Sequence, residues 1–456
     1  MEDKTEAEEK RGVMKKIDGF IPSLFKGKVY YGWIVVGACF LMVMMCLGFG
    51  SSTKSIYTKT ITEQLDIKRS IFTVNDSFRY IATAILSFFF GALVEKLGTR
   101  KMVGIGFGFL IASFTLYSFS EVFWQFWIGG ALLGIGLAWT TTSIVGHIVE
   151  KWFTNGKGTI MGIILAANGL GGFVSEFIIN KILFGANGEL SQAEAHWRTG
   201  YRVTVIIFAV VGLIAFLLIR NRPEDVGLTP KGQDMAKKKK RGLDWEGYEF
   251  SVIRRKSYFY IVGACMFLNG FFLQAMSSTS KPHMYDVGLD KNYVMTVYMI
   301  HSIILLLAKI LAGVSYDKLG IRITMAMCTV SSFLAIGSLA LMAQTSVVLP
   351  WVYGIFSSFA LPIETVLIPL IALQLFGKTS YSRIMGYYLS LTTLGSAVGI
   401  PIINVFYDTQ GTYKNIFIIM VIALTLNGIV MQLAMLRADK DRKAFLEMRT
   451  PSHVKD

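Results

Sequence analysis

GALVEKLGTRK, from Gly91 to Lys101, returns as GVSYDKLGIR, from Gly313 to Arg322. Gly91/Gly313, Glu95/Asp317, Lys96/Lys318, Leu97/Leu319, Gly98/Gly320 and Arg100/Arg322 all pair at one offset of 222 residues. Each copy lies between two long apolar stretches, so the chain reads as two similar halves set in a membrane. Internal repeats of this kind place a binding site at the bilayer midplane, where the halves meet.

Outward from the repeat, the composition agrees. Of 456 residues, 53% are hydrophobic and only 16% charged, far from a soluble average. About 20 apolar residues cross a hydrocarbon core of roughly 30 Å. Twelve runs meet that length, near 31–53, 71–94, 102–120, 123–149, 158–183, 203–220, 258–280, 293–316, 323–343, 347–376, 384–406 and 415–436. The first is clean: Trp33 to Thr53 has no ionisable group except the thiols of Cys39 and Cys46. With no water to satisfy backbone groups, each run must be a helix. The expected fold is an all-α membrane protein, twelve transmembrane helices in two pseudo-symmetric six-helix bundles. The layout that follows is an N-terminal segment 1–29, a first bundle 30–220, a linker 221–257, a second bundle 258–437 and a tail 438–456.

Residues 1–29 mix charges without an apolar core, which predicts that the first helix stays as an anchor and is not cleaved. The linker holds RNRPEDVGLTPKG and then KKKKR at Lys237–Arg241, a solvated connection and not a folded domain. The net charge of +15 raises nucleic acid as a partner, but its placement argues otherwise. With the termini and linker on one side, 33 of the 45 Lys and Arg lie on that side, 10 on the other, and Arg79 and Lys309 lie within helices. That is the positive-inside asymmetry, which puts both termini in the cytoplasm and leaves no reason to expect nucleic acid. Cys39, Cys46, Cys265 and Cys328 all fall inside predicted helices without CxxC spacing, so they read as small packing residues; no metal or cofactor is implied.

Twelve helices in two halves, with G-x-x-x-D/E-K/R-x-G-x-R after helices 2 and 8, resemble the major facilitator superfamily. The resemblance covers about 31–437. It implies that the repeated loop is a conformational latch, with Gly91, Glu95, Gly98 and Arg100 in one copy and Gly313, Asp317, Gly320 and Arg322 in the other. Acid and base would engage a neighbouring helix end in one state and release it in the other; Glu95 departs from the usual Asp. A plainer reading makes these residues loop caps and membrane anchors. A second repeat supports the fold: Met161-Gly162 and Leu170-Gly171 match Met385-Gly386 and Leu394-Gly395 at an offset of 224. Helix 5 is rich in small residues (Gly162, Ala166, Gly169, Gly171, Gly172), which allow close helix approach.

Within the superfamily, the chain is similar to the monocarboxylate transporter and oxalate/formate antiporter branch. The residues that carry this are Gly32-Trp33 opening helix 1, Lys54-Ser55-Ile56 closing it, Gly136-Leu137-Ala138 on helix 4, the Trp152-Phe153 exit, and RPEDVGL after helix 6. The resemblance implies a lysine at Lys54 that receives a substrate carboxylate on the outer side. Two places depart from it. Leu305 stands where that branch carries an acid on helix 8, and Thr393 where oxalate transporters carry a second cation.

Ionisable groups at membrane depth are expensive unless used or paired. Lys309 lies eight residues before Asp317, roughly 12 Å along the helix and so near the midplane. A cation there calls for a counter-charge, which an anionic substrate would supply; a snorkelling or structurally paired lysine is the alternative. In the family branch an arginine precedes a helix-8 glycine by four residues, and Lys309 precedes Gly313 at that spacing. Arg79 and His301 are repeat mates, again 222 apart, in the outer part of the bilayer. They would concentrate anions at a cavity rim, with pairing to Asp76 the alternative for Arg79, and His301 is an imidazole able to titrate near neutral pH. Glu364, between Pro362 and Pro369 on helix 10, sits in an expected kink and would carry a proton or pair with Lys309. Asn168 and Asn269 are weaker candidates for substrate hydrogen bonds, since polar groups in membrane helices mostly hold helices together.

These residues predict a secondary transporter of small organic anions, most of all monocarboxylates, working by alternating access with Glu364 or His301 coupling protons. An organic-anion exchanger of the oxalate/formate type and a drug/proton efflux carrier are the alternatives within transport, although ANGLGGFVSEF on helix 5 lacks the Gly-Pro of drug antiporters. A membrane sensor would call for a signalling domain that the linker and tail are too short to hold. No nucleophile–base pair is visible, so an enzyme is not expected. The expected setting is a bacterial plasma membrane, multi-pass, with the carrier working as a monomer among lipids.

Overall fold

The computed structural model describes residues 30–67, 69–184, 196–231 and 246–449. Among these residues the chain is helical, apart from one isolated β-bridge between Phe153 and Lys231. Eleven helices are long and apolar enough to cross a membrane, and one bent pair makes a twelfth span. They are α1 (Tyr31–Ser52), α2 (Arg69–Phe88 and Phe90–Leu97), α3 (Thr99–Phe119), α4 (Phe123–Trp152), α5 (Lys157–Phe184) and α6 (Trp197–Leu218). The second set is α7 (Ser257–Asp286), α8 (Lys291–Leu319), α9 (Ile321–Ala340), α10 (Leu349–Phe376), α11 (Tyr381–Gln410) and α12 (Lys414–Arg449). The basic run Lys237–Arg241 and residues 1–29 lie outside the described residues.

Several helix ends differ from the sequence reading, and at two of them charged residues belong to the helix. α6 begins at Trp197, not near 203, because Arg198 and Arg202 interrupt the apolar run yet belong to the helix. Arg198 Nη2 donates to the Ser120 carbonyl at 3.1 Å, and the Arg202 guanidinium lies 5.6 Å from the Phe119 ring. α12 continues past 437 to Arg449. Lys256 Nζ meets Asp441 Oδ2 at 2.8 Å and ties this extension to the start of α7.

Four spans are irregular. α1 widens into a π turn at Gly48–Ser52, and α2 bends by 64° at Phe89. α4 breaks at Thr141, whose φ of −126° and ψ of −131° leave the helical region. α10 breaks after Ala360 into a π turn at Ile363–Leu367, where Pro362 and Pro369 deprive the helix of two amide donors. The breaks in α4 and α10 fall one repeat length apart, so the duplication extends to them. π turns in helices concentrate at functional sites.

Glycine places the two bundles against each other. The odd-numbered spans start, and the even-numbered spans end, on the side that carries the linker. There a Cβ on Gly158 of α5 would stand 2.5 Å from the Gly313 carbonyl oxygen of α8, and one on Gly91 of α2 would stand 2.7 Å from Arg383 Cα of α11. Only glycine permits these approaches, so the halves meet backbone to backbone on the linker side. The described ends of the linker dock on matching loops. Lys231 N donates to the Trp152 carbonyl at 3.0 Å after α4, and Tyr248 N donates to the Phe376 carbonyl at 3.2 Å after α10.

Candidate functional site

Lys309 stands one turn above the α5–α8 crossing and is only 3% exposed. Its ammonium donates to the Leu165 carbonyl of α5 at 3.3 Å, so a side chain of the second bundle ends on the backbone of the first. The π turn of α10 packs against both α5 and α8 and brings Glu364 within electrostatic reach of Lys309. The two do not form a direct ion pair; Glu364 Oε1 is buried without a hydrogen-bond partner, as is the neighbouring Thr365 Oγ1. From the first bundle, Tyr80 of α2 lies within reach of both Glu364 and Arg79.

Arg79 is 8% exposed and heavily engaged. Its Nη1 donates to Ser51 Oγ in the π turn of α1 at 2.6 Å, its Nη2 lies 3.4 Å from Asp76 Oδ1, and its guanidinium stacks 4.5 Å from the Tyr80 ring. Asp76 also pairs with Lys54. Lys54 and Arg79 therefore share one carboxylate, and the wide turn of α1 is what brings Ser51 into reach. His301, the repeat mate of Arg79, is spent on α10: Nδ1 lies 2.9 Å from the Gly354 carbonyl and 2.7 Å from Ser358 Oγ, with its ring stacked on Tyr353. Asn168 is half-buried on α5. Asn269 is buried on α7. Its Oδ1 accepts from Asn427 Nδ2 at 3.0 Å, so it joins α7 to α12 inside the second bundle and not the seam.

The repeated loop is asymmetric. Gly98 and Gly320 both take positive φ, 76° and 84°, a turn that L side chains resist. Asp317 then accepts from Gly158 N at 3.0 Å, Thr159 N at 2.7 Å and Thr159 Oγ1 at 2.7 Å. It caps the first turn of α5 from another helix, where free amides and the helix dipole favour a carboxylate. Glu95 makes no such contact: among the described residues it has neither hydrogen bond nor ion pair and is exposed. Arg100 Nε donates to the Phe216 carbonyl of its own bundle at 2.7 Å. The Arg322 side chain is exposed. His147 Nδ1, 2.7 Å from Ser382 Oγ, links α4 to α11 beside the unengaged copy. Two cavities of about 490 and 420 Å³ open on this side, sharing Lys151, Arg222, Asp225 and Lys378, and neither reaches Lys309.

A helical duplication with its polar groups at the seam is a carrier architecture. The sequence profile of the Major Facilitator Superfamily matches residues 38–374 and 282–454. The chain belongs to this superfamily. It is 23% identical over 411 residues to the uncharacterized MFS-type transporter YcxA of Bacillus subtilis, covering 87% of this chain and 94% of that protein. Over 167 residues, 35% of this chain and 32% of the other, it is 29% identical to the glucose-6-phosphate exchanger SLC37A2 of Danio rerio. The solved structure of the human organic anion transporter MFSD10 superposes with a TM-score of 0.65 at 14% identity, covering 88% of this chain and 99% of that one.

The candidate site includes residues that sequence reasoning passed over. Tyr80 reads as one more aromatic packing residue, although its place beside Arg79 was a usable signal. Ser51 and the Leu165 carbonyl carry no sequence signal, because a π turn and a backbone acceptor become partners only once the helices are packed.

Proposed function

We propose that this protein is a secondary transporter of small organic anions, monocarboxylates foremost, that works by alternating access. The observation that carries this reading is Lys309: a cation 3% exposed at the seam, held by a backbone carbonyl and a carboxylate that does not touch it. A buried charge with so little compensation is costly, and an anionic cargo supplies what is missing. Two similar proteins point the same way, since MFSD10 is named an organic anion transporter and SLC37A2 exchanges a sugar phosphate, also an anion.

The excess of Lys and Arg on the linker side favours that side as cytoplasmic in a plasma membrane, with residues 221–257 as the connection between the bundles. In that orientation the described conformation is closed to the cytoplasm. Lys54 and Arg79 then stand nearer the outer mouth, where they attract anions, and the Gly91–Arg100 and Gly313–Arg322 loops act as the latch. Glu364 and His301 are the groups at which a co-transported proton would reside. The test is uptake of labelled C1–C6 carboxylates into proteoliposomes, with and without a pH gradient. Saturable uptake of at least one carboxylate is expected. Transport of neutral sugars alone would overturn the proposal.

A further inference from the structure

We propose that an anionic phospholipid of the linker-side leaflet binds at the α2–α11 edge, its phosphate on Arg254, Arg255 and Arg383, and holds the two bundles closed there. Arg254 and Arg255 follow the single helical turn Phe250–Ile253 that precedes α7, and Arg383 lies in the first turn of α11. Arg254 N donates to the Phe250 carbonyl at 3.1 Å, and the Arg383 guanidinium lies 5.1 Å from the Phe250 ring. The three cations thus gather around one residue. All are exposed, and among the described residues none forms an ion pair with a carboxylate. Glu249, the acid of that turn, accepts from Ser251 Oγ at 3.3 Å.

What adjoins these cations is apolar and crosses between the bundles. Tyr387 of α11 stacks on Phe250 with ring centroids 5.4 Å apart, and Phe88 of α2 meets Tyr387 edge-on at 4.5 Å. Phe88 and Phe89 are exposed at the bend of α2, and Val252 and Tyr260 are exposed beside the arginines. A guanidinium fork matches a phosphate, exposed aromatic rings suit the border of a bilayer, and an amphiphile satisfies both. Neither linker-side cavity is lined by any of these residues, so a free phosphate gains no enclosure from them. Anionic lipids of a cytoplasmic leaflet gather at such basic segments; that step rests on the cytoplasmic placement of the linker side in the proposed function. The cations belong to the second bundle and Phe88 and Phe89 to the first, so a bound lipid spans both. It does so where a Cβ on Gly91 would stand 2.7 Å from Arg383 Cα, the edge at which Glu95 caps nothing.

The test places the full chain in nanodiscs of phosphatidylcholine alone or mixed with phosphatidylglycerol. Both faces then carry the lipid, which separates the site from the orientation. Nitroxides on Lys101→Cys and Lys318→Cys, exposed positions in opposite bundles, report the linker-side distance by pulsed electron resonance, with the four buried native cysteines replaced by alanine. Phosphatidylglycerol should raise the ratio of short to long distances by about fivefold or more. Arg254→Gln, Arg255→Gln and Arg383→Gln together should abolish that response, and native distances in phosphatidylcholine show that this variant folds. Arg437→Gln, Lys440→Gln and Lys443→Gln remove the same charge from exposed positions of α12 and should leave the response intact. Equal ratios in both lipids, a response that survives in the arginine variant, or its equal loss in the α12 variant would each overturn the inference. So would an equal shift by inorganic phosphate in phosphatidylcholine that vanishes with the arginines, which would assign the site to a free anion. None of these outcomes bears on the anionic cargo.

Discussion

A lysine ammonium inside a hydrocarbon layer is tolerated only where something answers its charge, and Lys309 meets a carbonyl and a distant carboxylate. Lys309→Gln should abolish carboxylate uptake while the protein still inserts and purifies as a single species. Lys309→Arg should retain part of the activity, because the charge survives while the donor geometry changes. Normal uptake by the glutamine variant would remove Lys309 from the site. The outer cluster behaves differently, since Lys54 and Arg79 share Asp76. Asp76→Ala leaves the buried Arg79 and the half-buried Lys54 without that carboxylate and should destabilise the fold by about 1–3 kcal/mol, read as a lower melting temperature with or without substrate. Much of this was legible: Arg79 and Asp76 stand at i and i−3, and the lone charges stand out against apolar runs. The role of Asn269 was not legible, because a polar residue in a membrane helix looks alike whether it faces a cargo or a neighbour. The Asn427 amide that claims it lies 158 residues away.

At the level of elements, irregular helices do the positioning. Pro362 and Pro369 announced the break in α10, whereas the break in α4 at Thr141 has no proline to mark it. Only the repeat offset, which maps Thr141 near Pro362, would have exposed it. The latch was legible as a motif and illegible as an asymmetry, because one methylene separates Glu95 from Asp317 and its effect depends on where the facing helix begins. Asp317→Ala removes charge-assisted bonds to the α5 amides, a loss of about 1.5–3 kcal/mol, or roughly a 10- to 150-fold shift away from the closed linker side. Cysteine labelling from the two sides of the membrane should report it. Glu95→Asp should move the same equilibrium the other way if the shorter acid reaches the start of α11. No change in either variant would reduce the motif to a turn.

Across the whole molecule, two bundles meet at a seam that contains almost no side chain at its tightest points. Gly158→Val would force α5 and α8 apart, so the closed linker side should become rare. Labelling of cysteines placed near Lys309 from the linker side should rise accordingly, while the protein remains folded. Labelling at the native level would mean that the halves have slack to absorb a branched side chain. The twelve spans and their order were readable from apolar runs alone, since lipid imposes helices wherever about 20 such residues follow one another. The conformation was not readable, because one sequence must support both ends of the transport cycle within a few kcal/mol.

The lone capping contact of Asp317 sets an order of events. When the two bundles separate, the α2–α11 edge has no acid to release and gives way with the His147–Ser382 contact, whereas the α5–α8 edge must first surrender three hydrogen bonds. Opening would then be a peel rather than a parallel parting, starting at Gly91 and ending at Gly158, with the α5–α8 edge serving as the axis until it yields. Lys309 lies along that axis. The group most concerned with the cargo would be the last to move, and the cargo would stay held on one wall while the other swings away.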